Sequence, residues 1–300
     1  KSIKKAARKG VEEELIKRVN SINKDKKLSI DLDNKIIWQN NPIAKIKKGE
    51  NYLTPEVEII ADDALHLDKK KELEQCLKIW LSSHIKEVLG DLINLIKVKI
   101  ENQYLRALAY QLYENNGVLK RKNVESIIKL ISKEERKKLW NMGIKIGRYH
   151  VFLPKMLKPK AVMLRTTLWK IYNNILSSLN IPKFGLNFIV NENFNEKLLL
   201  LCGFERFKDY FVRIDILEKL FINIIDKTVS GKFKISPEMM NLLGCTKENF
   251  YKLIDLMSYK KSKDSDTYYF SHEIKKNKEK RIQNKNKTSP FSKLLALNIK

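Results

Sequence analysis

Cysteine is scarce in this 300-residue chain, and the three present, Cys76, Cys202 and Cys245, stand far apart with no C-x-x-C pair. That spacing excludes the usual zinc ribbons and disulfide frameworks and suits a reducing, cytoplasmic setting. No apolar run approaches the ~18 residues that cross a bilayer, and no secretory signal is evident, so no membrane partner is expected. Catalytic signatures are missing as well: there is no G-x-x-x-x-G-K-[ST] loop, G-x-G-x-x-G turn, H-E-x-x-H helix, EF-hand loop or G-x-S-x-G elbow. Neither a catalytic residue nor a metal ligand set is assigned, and no cofactor is expected in this chain.

Acidic residues are the next shortage. Sixty Lys and Arg face 35 Asp and Glu, for a formal charge of +25. Such a balance points to a polyanionic partner, nucleic acid being the commonest. The chain is also crowded with Lys, Ile and Asn, as AT-rich coding produces, and only ten of the 60 basic residues are Arg. Where charge sits therefore counts for more than its sum, and arginine marks positions that need a planar, bidentate donor.

The hydrophobic pattern reads as mainly α: a helical bundle-like domain with a small N-terminal β-meander and a small C-terminal α+β part holding a helix-turn-helix-like pair. Residues 1–25 read as a basic helix. Residues 26–62 alternate short β-rich runs with turn clusters, with Trp38 on one face of the meander. The helical domain covers 63–180. Leu73, Leu77, Trp80, Leu81, Ile85, Val88, Leu89, Leu92 and Ile96 recur at helical spacing and predict a helix over roughly 69–98, and further helices are bounded by Gly117, by an Asn123 cap, by a Ser132–Glu135 capping box and by Pro159. Residues 181–259 read as the α+β part, with strands at "GLNFIV" and "YFVRI", a capping box at Asp215 and Glu218, and a pair of helices around "GCT". Residues 260–300 hold 12 basic residues against four acidic ones and read as a flexible basic tail. Among the histidines, His84 reads as structural, and His66, after Asp62 and Asp63, as lying beside a helix N-cap.

One window concentrates the charge. From Arg136 to Asn191 there is no Asp or Glu, while 11 Lys and Arg fall there. One-signed charge of this kind suits a phosphate backbone, because each neutralised phosphate releases counterions. Within the basic segment 136–170, Lys145, Arg148, Lys155, Lys158, Lys160 and Arg165 are the candidate phosphate contacts, with Arg136, Lys138 and Lys170 peripheral. Tyr149 and His150 interleave with the bases as stacking residues would; a short strand with buried aromatics and outward bases explains the same pattern. Arg213 is a lesser candidate that a pair with Asp215 or Glu218 would equally explain.

The block "LWNMGIKIGRYHVFLPKMLKPKAVMLRTTLW" resembles a segment of bacterial, chiefly alphaproteobacterial, helicase-related proteins, similar to the mitochondrial degradosome RNA helicase of superfamily two. "IIWQNNPIAKIKKGENYLTPEVEIIADDAL", "FVRIDILEKL", "SPEMMNLLGCTKENFYKLIDLMSYK" and the terminal "SPFSKL" resemble further blocks in the same order. The resemblance implies a C-terminal accessory region that lies after two motor lobes and lines the path of a single strand. It implies ATP and Mg in the upstream lobes only, so this chain would be a fragment that is not itself an enzyme although its parent hydrolyses ATP. The implied partners are single-stranded nucleic acid, chiefly RNA, the upstream motor lobes and an exoribonuclease. A free-standing RNA-binding protein and a docking scaffold for a nuclease remain open beside it.

Overall fold

A computed structural model describes residues 28–31, 33–60, 67–175, 180–190, 192–263 and 266–270. The expected N-terminal helix, His66 with its aspartates, and the tail beyond 270 lie outside the described residues. Contacts divide the chain into two units, with the boundary between Ile222 and Asn223.

The first unit begins with a four-stranded antiparallel sheet in sequential order, β1 (Leu28–Ile30), β2 (Lys35–Trp38), β3 (Asn41–Asn51) and β4 (Thr54–Ile59). In β4, Pro55, Val57 and Ile59 face inward while Thr54, Glu56 and Glu58 face water, the period of two that a one-sided sheet requires. Helix α1 (Leu67–Lys97) packs on this sheet. Its inward stripe, Leu73, Leu77, Leu81, Ile85, Leu89 and Leu92, is almost fully buried, each side chain contributing ~1.5–3 kcal/mol of apolar transfer. At Leu89 the backbone leaves helical geometry (φ −110°, ψ 18°), beside Gly90, a common site for a kink.

Helices α2 (Gln103–Glu114), α3 (Glu125–Lys129) and α4 (Lys133–Asn141) follow. The Ser132–Glu135 capping box is present with both reciprocal bonds. Asn123 caps nothing; the N-cap of α3 is Val124, without a side-chain bond. A second sheet, ordered β5 (Val118–Lys120), β7 (His150–Phe152), β6 (Lys145–Ile146), comes next, and α5 (Pro159–Tyr172) starts on its proline. A third sheet, β8 (Phe188–Val190), β10 (Tyr210–Arg213), β9 (Phe204–Phe207), carries α6 (Glu196–Leu201) and leads into α7 (Ile214–Asp226).

The second unit joins β11 (Lys232–Phe233), α8 (Pro237–Leu243), α9 (Lys247–Leu256), β12 (Tyr259–Lys261) and β13 (Tyr268–Phe270). Gly244, left-handed at φ 69°, ends α8, and Thr246 caps α9 by accepting from the Asn249 amide. The sheet is ordered β11-β13-β12, so the helix pair is joined to three antiparallel strands.

The mainly-α expectation is therefore corrected. Among the described residues helix accounts for 49% and strand for 23%, with four small antiparallel sheets, an α+β arrangement. The strands that went unread are two to four residues long, too short for alternation to register, and β5 pairs with β7 across at least 30 residues of chain (Lys120 opposite His150 at the near end). Residues 260–261 and 268–270, at the start of the expected tail, lie in paired strands.

Candidate nucleic-acid interface

The hairpin β6–β7 turns through Gly147, Arg148 and Tyr149, and the turn is built around a carboxylate. Glu218 of α7 accepts the backbone N–H groups of Arg148 (2.6 Å), Tyr149 (2.8 Å) and His150 (3.0 Å). Three consecutive amides converging on one anion form a nest. A Cβ on Gly147 would sit 2.3 Å from the Glu218 carboxyl carbon, so only glycine admits this approach. Glu218 is thereby committed to the turn rather than to a capping box, and Asp215 is held by a two-bonded pair with Arg213 (2.7 and 2.9 Å).

Beneath the turn, His150 is 1% exposed. Its Nε2 donates to Glu205 Oε2 at 2.7 Å, while Lys120 Nζ lies 2.9 Å from Glu205 Oε1. Its Nδ1 lies 3.8 Å from Glu218 Oε1, beyond hydrogen-bonding range, so Glu218 acts on the ring through charge. Burial alone would lower the His150 pKa; the Glu205 bond and the two carboxylate charges outweigh it, and the value lies above the ordinary 6.5. Burial alone would raise Glu205, yet the bonds and charges of His150 and Lys120 hold it below the ordinary 4.5.

A pocket of about 340 Å³ opens over this network, its floor and walls including His150, Glu205, Tyr149 and Phe207. Its cations are Lys120, Arg121 and Lys122, with Arg148 from the turn. Lys120 is neutralised by Glu205, and Arg121 donates to the Gly147 carbonyl at 2.8 Å. Glu125 stands at the rim, 3.8 Å from Lys129. The buried His150–Glu205 pair holds the floor of the pocket together.

Arg148 differs from the other arginines. Six of the seven described arginines donate to internal acceptors: Arg106, Arg121, Arg136, Arg165 and Arg206 to backbone carbonyls and Arg213 to Asp215. Among the described residues the Arg148 guanidinium has no hydrogen bond or ion pair; it is exposed and lies 5.7 Å from the Phe221 ring centroid.

The remaining sequence candidates scatter. Arg165 is 0% exposed. Its fork donates to the carbonyls of Asn116 (2.5 Å), Leu201 (2.9 Å) and Met156, binding three chain segments, and burial pulls its pKa down to about 10. A guanidinium enclosed in this way cannot reach a phosphate, which corrects its assignment. His150 and Lys170 are also buried, which removes His150 as a stacking residue. Tyr149 packs edge-on against Phe207 and Phe221. Lys155 pairs with Asp91 at 3.1 Å. Lys158 and Lys160 are exposed at the start of α5, and Arg136 and Lys138 lie exposed on α4. The window without acids in sequence is thus not without acids in space, because Asp91 and Glu218 reach it from elsewhere.

Two features went unread. The run Lys120-Arg121-Lys122 was visible as three consecutive cations just ahead of the window. Trp140 on α4 is 62% exposed, with Lys145 Nζ 5.4 Å from its ring centroid; its helical spacing gave no sign that it faces water.

No family model, curated protein or solved structure matches this chain. Among the described residues, no group of His, Cys, Asp and Glu could hold a metal ion, and no helix is long and apolar enough to cross a membrane.

Proposed function

We propose that this chain binds a single strand of nucleic acid at the face where the 120–122 run meets the 147–149 turn. The observation that carries the reading is Arg148, an exposed guanidinium without an internal acceptor among the described residues, beside the exposed cation Lys122. An unneutralised fork is what bidentate phosphate recognition uses, and Trp140 with Lys145 supplies a ring on which an unpaired base can stack.

The wider placement belongs to the same proposal: a C-terminal accessory region of an ATP-dependent RNA helicase, cytoplasmic, with ATP and Mg confined to separate motor lobes. Its support is the resemblance of the sequence blocks, and strand binding does not depend on it. The test is fluorescence anisotropy of the chain with a labelled single-stranded oligonucleotide across a salt series. Each phosphate contact removed should flatten the log–log salt slope by about 0.7. The paired variant Arg148→Glu and Lys122→Glu is expected to weaken binding and flatten the slope by about 1.4, with no ATPase activity in either protein. An unchanged slope would refute the site.

A further inference from the structure

The second unit has the outline of a duplex reader, but its charge lies elsewhere. Helix α9, which would enter a groove, carries Lys247 and Lys252 against Glu248 and Asp255. Lys252 is paired with Glu248 at 2.7 Å. A helix of zero net charge, with one of its two lysines internally neutralised, is poorly suited to a phosphate backbone.

The outer face of the three-stranded sheet is different. In β13, Tyr268 points inward and is 5% exposed, while the next residue, Tyr269, is 39% exposed. Register places Lys232 of β11 opposite Tyr269 on one side and Lys260 of β12 opposite it on the other. Directly opposed side chains on one face have Cβ atoms ~4.5–5.5 Å apart. The row therefore reads Lys232–Tyr269–Lys260, one aromatic ring between two exposed cations. Inward partners fix the orientation, since Phe233 and Tyr259 occupy the core side of the same strands.

Three other lysines of this unit are spent on carboxylates, Lys227 on Glu238, Lys252 on Glu248 and Lys261 on Asp266, and Lys247 lies over the Tyr251 ring; what sets Lys232 and Lys260 apart is their place on either side of one exposed ring. Among the described residues neither Lys232 nor Lys260 has an ion-pair partner. An aromatic face flanked by unneutralised ammonium groups matches the chemistry of an unpaired polynucleotide, whose base stacks on the ring while its flanking phosphates meet the cations.

We infer that the outer face of the β11–β13–β12 sheet is a second binding site for single-stranded nucleic acid, with Tyr269 as the stacking residue and Lys232 and Lys260 as phosphate contacts. It shares no residue with the face around Arg148.

The experiment uses the full chain with the Arg148→Glu and Lys122→Glu changes, so that the first face is silenced, and titrates labelled U12 RNA, dT12 and a 12-base-pair duplex by anisotropy. Tyr269→Ala is expected to weaken single-strand binding about 5- to 140-fold, the equivalent of ~1–3 kcal/mol per stacked base. Tyr269→Trp should retain affinity, and Lys232→Gln and Lys260→Gln should each flatten the salt slope by about 0.7. Ultraviolet crosslinking of the RNA should map to Tyr269. Full affinity in Tyr269→Ala overturns the inference, whatever the lysine variants do. So does a duplex preference that Lys247→Gln abolishes, which would assign the unit to groove reading by α9. If only the variant silenced at the first face fails to bind, while the unaltered chain binds, the inference falls and the Arg148 reading stands. The substituted side chains are exposed, and circular dichroism verifies that each variant is folded.

Discussion

Replacing Arg165 by methionine removes a fully buried guanidinium while keeping most of its apolar stem. Three carbonyls, those of Asn116, Met156 and Leu201, lose their side-chain donor. A buried acceptor stranded in this way costs ~1–3 kcal/mol, so three would cost ~3–9 kcal/mol. Against this stands the relief of no longer burying a cation, and the net loss for breaking buried charged networks runs ~3–5 kcal/mol. In a unit of this size each kcal/mol moves the melting temperature by ~2–4 °C, which gives a fall of about 6–20 °C. Arg165→Lys should fall between the two proteins, because an ammonium is a point charge and cannot span three acceptors as a planar fork does. The assay is urea unfolding followed by far-ultraviolet circular dichroism, with oligonucleotide affinity measured well below the melting temperature. A loss under ~1 kcal/mol would refute the three-carbonyl account. An unchanged unfolding midpoint with weakened nucleic-acid binding would return Arg165 to the phosphate-contact role.

Gly147→Ala should destabilise by about 1–3 kcal/mol, because the new Cβ displaces the carboxylate that holds three amides. In a Glu218→Ala background the same change should cost much less, and strict additivity in that double-mutant cycle would falsify the carboxylate-centred turn. The His150–Glu205 pair gives a pH signature. His150 is raised above 6.5, so its contribution to stability is complete below 6.5 and fades as the pH rises through the folded value. Glu205 is lowered below 4.5, so its contribution is complete above 4.5 and fades as the pH falls through the folded value. The stability difference between the native protein and Glu205→Gln should therefore be greatest between 4.5 and 6.5 and shrink on both sides; urea midpoints across pH that differ by a constant amount would contradict the pairing.

The fold was legible where a pattern repeats locally. Helix α1 announces itself through aliphatic residues at three-to-four spacing from Leu73 to Leu92, and the Ser132–Glu135 box closes within four residues. Sheet β5-β7-β6 had no such signal, because a two-residue strand such as Lys145–Ile146 contains one alternation and its identity lies in a distant partner. Glu218 shows the same limit at the site. Its spacing from Asp215 imitates a capping box, yet its oxygens go to amides about 70 residues earlier in the chain. A motif defined by neighbours in sequence cannot register an acceptor supplied from another element.

Arginine makes the limit sharper. In a chain that writes its positive charge as lysine, a retained arginine marks a need for several donors in one plane. A phosphate has that need, and so do clustered backbone carbonyls at the ends of short helices and turns, which must be satisfied when buried. Arg165 and Arg148 both stood inside the acid-free window and looked alike there. Arg165 meets three carbonyls in the interior, whereas the backbone of Arg148 is consumed by Glu218 and its side chain is left outside. Fixing the Arg148 backbone from within is also what turns its guanidinium outward: the nest that binds the internal anion aims the cation at an external one.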